Sequence, residues 1–110
     1  MSGSSGAGGG DGGGIPDTQP PCNNLKFNIL VSSPQPAAVA ALKPGDVLDI
    51  NVAQRGAQLV VQVLHNGTLV GGLAGPDATR LRNCIEDGHD YQAEVLSITG
   101  GQVRVEVTHV

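Results

Sequence analysis

Residues 46–73 read DVLDINVAQRGAQLVVQVLHNGTLVGGL, and their reading decides the fold. From Asp46 to Ala53, Leu48, Ile50 and Val52 alternate with Val47, Asp49 and Asn51. From Gln58 to Leu64, Leu59, Val61 and Val63 alternate with Val60, Gln62 and Leu64. A period of two with an apolar face is the pattern of a half-buried strand. Arg55-Gly56 reverses the chain between the two runs. Asn66-Gly67 reverses it again, because a type I′ turn needs positive φ at both central residues. The run that follows, Thr68 to Leu73, is interrupted by Gly71-Gly72. Three short strands in succession therefore define a β domain.

The same period extends outward on both sides. Leu25, Phe27, Ile29 and Val31 share one face of a strand that the Ser32-Ser33-Pro34-Gln35-Pro36 segment ends. Pro36 suits a single helical turn over Ala37 to Leu42, and Pro44-Gly45 suits a type II turn. Beyond Gly75-Pro76-Asp77 the period changes to three and four residues, with Ala78, Leu81, Cys84 and Ile85 on one stripe. That is an amphipathic helix, stopped by Gly88. Two last strands, Tyr91 to Ile98 and Gln102 to Thr108, turn at Gly100-Gly101. Val103, Val105 and Val107 point inward in the second. We expect a mainly β fold: a small six-stranded SH3-like or OB-like barrel with one helix between strands four and five. An open α+β sheet is the alternative.

At 110 residues the chain holds one domain. Residues 1–21, rich in glycine and proline with Ile15 as the one large apolar side chain, read as a disordered tail, leaving 22–110 to fold. The chain's charge of −4 includes Asp11 and Asp17 of that tail, so the folded part is two units less negative. No basic patch emerges, which argues against general affinity for nucleic-acid backbones. Phe27 and Tyr91 are the only aromatics, and both take inward positions, leaving no platform on which bases could stack. There is no signal-like start and no run long enough to span a bilayer, so the simplest expectation is a cytoplasmic chain without membrane contact. On that basis Cys22 and Cys84 are expected to be reduced thiols.

No catalytic or metal site assembles in the sequence. Cys84 falls on the apolar side of its helix, and His89 is expected in an exposed loop. His65 belongs to a hairpin tip and His109 to a chain end, and neither shows metal-ligand spacing. Glu86, Asp87 and Asp90 read as a solvated acidic loop. Gly71 and Gly72 fail the spacing of a phosphate-binding loop and are better explained by close backbone packing. Together with Arg80 and Arg82 on the helix, they are the candidate binding residues.

The phrase Asn66-Gly67-Thr68-Leu69-Val70-Gly71-Gly72-Leu73, followed by Ala78-Thr79-Arg80-Leu81, resembles the HIRAN domain family over about residues Asp46 to Ile98. The resemblance implies a small β-barrel with helical insertions and a role in binding DNA. The residues themselves favour a non-enzymatic interaction module, bacterial in style and without cofactor, that takes a protein partner through a barrel edge or the helix surface. DNA binding is the alternative.

Overall fold

The computed structural model describes residues 21–110. The expected boundary of a tail at 1–21 lies almost wholly outside them. Six antiparallel strands form one sheet: β1 (Lys26–Leu30), β2 (Val47–Arg55), β3 (Gln58–His65), β4 (Thr68–Leu73), β5 (Tyr91–Thr99) and β6 (Gln102–His109). Two helices interrupt them, the single turn α1 (Pro36–Val39) and the eleven-residue α2 (Pro76–Glu86). The strand order is β1-β6-β5-β2-β3-β4. Hairpins account for β2-β3-β4 and β5-β6, while β1 pairs with β6 from the far end of the chain, Phe27 opposite Val107 and Ile29 opposite Val105.

The sheet is not closed, so of the two expected architectures the open one forms. Its outer strands meet at one isolated bridge between Ser32, just past β1, and Gly72 of β4. Beyond Gly72 the chain reaches Pro76, whose missing amide ends any ladder and starts α2. The helix then runs from the end of β4 toward the start of β1, where Cys84 joins Cys22 in a disulfide. That pairing corrects the expectation of two free thiols. Packing of α2 against the start of β1 brings the two Cα atoms to 5.5 Å, within the span that a disulfide bridges, a proximity that cysteine count and compartment do not reveal.

The core lies between the sheet's inner face and α2. Leu48, Val63, Val70, Leu81, Cys84, Ala93, Val95, Val103, Val105 and Val107 are essentially inaccessible. Aliphatic side chains supply almost all of it, and Tyr91, the one fully inward aromatic, donates its hydroxyl hydrogen to the carbonyl of Cys22. Phe27 and Ile29 are only half-buried, because β1 is an edge strand. At the other end of the register, Leu59 is 38% exposed: it lies in the part of β3 that reaches past the last β4 pairing at Val61 and Leu73.

Candidate functional site

The bridge at Ser32 and Gly72 shapes the surface around it. Ser32 donates its amide to the Gly72 carbonyl at 2.7 Å and accepts from the Gly72 amide at 3.0 Å. Gln35 donates its amide to Val70 at 2.8 Å, so the segment after β1 is laced along the outer edge of β4. This approach requires Gly71. A Cβ there would stand 2.5 Å from Val31 Cγ1 and 2.7 Å from the Ser32 carbonyl oxygen. Ser33 turns the chain away with φ of 49°, a left-handed conformation that a serine seldom adopts.

An open groove of about 420 Å³ follows from this crossing. Ser32, Ser33 and Gln35 of the crossing segment line it together with Gly71 and Gly72 of β4, Gln62 of β3 and Arg55 of β2. A second depression of about 200 Å³ continues it toward α2, with Ala78, Thr79 and Arg82 on its helical side. Val60, Val61, Leu73 and Ala74 line both. Arg55 and Arg82 thus flank one apolar strip, and among the described residues they are the only charged side chains lining either depression.

Of the four candidate residues, the structure brings three to this surface and sends the fourth elsewhere. Gly71 and Gly72 line the groove, and Arg82 lines the depression beside α2. Gly72 does not offer a free amide to an anion, since its N–H is spent on Ser32. Arg80 sits two residues from Arg82, roughly 200° around the helix, and its charge acts on Tyr91 instead. Burial pushes the Tyr91 phenol above its usual range, and the Arg80 guanidinium opposes that rise. Arg82 is incompletely satisfied. Its Nε lies 3.9 Å from Glu86 Oε1, its Nη2 3.5 Å from Asn83 Oδ1, and its buried Nε makes no hydrogen bond among the described residues. Arg55 was not singled out by sequence, because a hairpin-tip arginine carries no signal of the groove that the Ser32–Gln35 crossing builds beside it.

The histidines depart from expectation. Neither His89 nor His109 is a free solvent imidazole: both are half-buried, with His89 Nδ1 3.1 Å from His109 Nε2. A Schellman motif at the end of α2 places the first ring. Gly88, with φ of 102°, donates its amide to Ile85, and His89 donates to Cys84. His65 is likewise half-buried, its Nε2 3.8 Å from the Asp46 carboxylate. Glu86, Asp87 and Asp90 are exposed, as a solvated loop requires. Cys84 is held in the disulfide, so it presents no thiol to His89.

No family description matches the chain, and neither a curated protein nor a solved structure matches it.

Proposed function

We propose that this domain is a non-enzymatic interaction module that holds an extended, acidic segment of a protein partner in the groove between Arg55 and Arg82. One observation carries the reading. Acids outnumber bases in the chain by 10 to 6, yet among the described residues the lining of the groove contains two arginines and no carboxylate. Such a surface is complementary to acidic side chains, while Val60, Val61, Leu73 and Ala74 supply apolar contact between the charges. Arg55 makes no ion pair among the described residues, and the Arg82 guanidinium is held only loosely, 3.9 Å from Glu86 and 3.5 Å from Asn83.

DNA is the competing ligand, as the HIRAN resemblance implies. Among the described residues the groove lining has no aromatic side chain on which a base could stack, which favours the peptide. The Cys22–Cys84 bond fits a compartment that keeps thiols oxidised better than it fits the cytoplasm.

Selection of a random peptide display library on the full chain tests the proposal. Enrichment of sequences with spaced Asp or Glu, lost for the Arg55→Glu, Arg82→Glu variant, supports it. Enrichment without acids, or undiminished by the double reversal, contradicts it.

A further inference from the structure

We infer that His89 and His109 form a two-imidazole binding site for a divalent transition-metal ion of the zinc, nickel or copper class. The two ring nitrogens face each other at 3.1 Å across the junction of the α2 exit loop and the last strand. Metal–nitrogen bonds of ~2.0–2.1 Å to both would subtend roughly 95–102° at the ion, between the square-planar and tetrahedral angles. The spacing that now holds a hydrogen bond is thus also a chelating spacing.

Contacts outside the pair fix the backbone of His89 and the ring of His109. The Schellman motif sets the backbone of His89. His109 lies opposite Tyr91 in the β5–β6 ladder, and its ring meets the Tyr91 ring edge-on at 5.2 Å between centroids. Tyr91 is in turn anchored on Cys22. In the neutral pair one nitrogen already presents a lone pair; binding requires the donor ring to carry its proton on its other nitrogen and both rings to tilt toward an ion set off the line between the two nitrogens. Among the described residues no group of three or more metal-binding side chains occurs. The site therefore supplies two ligands and leaves the others to water, which makes it open and exchangeable, unlike the closed four-ligand sites that hold structural zinc.

Titration of the full chain with Zn²⁺ and with Ni²⁺ tests this, read through long-range proton–nitrogen spectra of the imidazoles. With Zn²⁺, His89 Nδ1 and His109 Nε2 are expected to shift together at a stoichiometry of one ion, while His65 stays in place. Ni²⁺ should broaden the same two rings selectively. His89→Ala and His109→Ala should each weaken Zn²⁺ binding at least tenfold, and His65→Ala should leave it unchanged. Absence of any shift up to millimolar ion overturns the inference. So does a shift of one ring alone, or an equal response of all three histidines, either of which marks adventitious binding. Because the wild-type spectrum is itself decisive, loss of fold in a variant does not spare the inference from refutation.

Discussion

Ser32 and Gly72 exchange two backbone hydrogen bonds, of 2.7 and 3.0 Å, and with the Gln35 amide on the Val70 carbonyl they join the outer edges of the sheet. The arrangement replaces full closure. One end of the gap is pinned by the bridge, the other by the Cys22–Cys84 disulfide, and α2 runs between them. Each pin has a measurable consequence.

Gly71→Ala should destabilise the domain by about 1–3 kcal/mol, the range for forcing an atom into a packed site. The added Cβ meets Val31 and the carbonyl of Ser32, and the latter is backbone that cannot rotate away. Urea denaturation measures it. By contrast, Gly72→Ala meets only the Val61 carbonyl oxygen at 3.4 Å and should cost less. Equal effects at the two positions would mean that the bridge does not depend on close approach.

Reduction of the Cys22–Cys84 bond should lower stability by about 2–4 kcal/mol, since the bond closes a long loop and restricts the unfolded chain. The two cysteines are 62 residues apart in sequence. Denaturation with and without reductant gives the value. A Cys22→Ser, Cys84→Ser variant that melts with the oxidised protein would contradict the account.

A pH effect follows from Asp46. The amide of Lys43 donates to its carboxylate at 3.0 Å, and the Lys43 ammonium donates at 3.1 Å. First the backbone bond and then the side-chain bond hold the Asp46 carboxyl below its ordinary value of 3.8. A carboxylate whose folded value is depressed adds stability that is complete above its unfolded value and disappears as pH falls through the folded one. Stability should therefore decline below about pH 4, and Asp46→Asn should flatten that decline. Parallel acid profiles for the two proteins would contradict this assignment.

Much of this architecture is legible in local pattern. The alternation of Val103, Val105 and Val107 marks three inward positions, all of them inaccessible. Asn66 and Gly67 mark a hairpin, and both have positive φ. The stripe of Ala78, Leu81 and Cys84 marks the buried face of α2. What local pattern does not carry is who meets whom across the chain. Lys26 pairs with Thr108, Cys22 bonds Cys84, and His89 faces His109 only because the sheet returns its last strand to its first. The candidate site shows the same division. Gly71 and Gly72 stand out in sequence as a break in a strand, whereas Arg55 becomes significant only once Ser32 to Gln35 lie across β4. Arg80 and Arg82, close in sequence, belong to different faces of one helix, as its turn of ~100° per residue dictates.

The most direct test of the groove is amide shift mapping of the full chain, titrated in parallel with an acidic peptide from the display selection and with a single-stranded oligonucleotide. The account predicts that the peptide perturbs residues 32–35, 58–62 and 71–75 together with Arg55 and Arg82. Arg55→Ala and Arg82→Ala should each weaken it, while Arg80→Ala leaves it unchanged. Perturbation confined to residues outside the groove lining, around the exposed Leu30, Val47 and Leu96, would contradict the account. So would tighter, steeply salt-dependent binding of the oligonucleotide, since release of phosphate counterions produces that dependence.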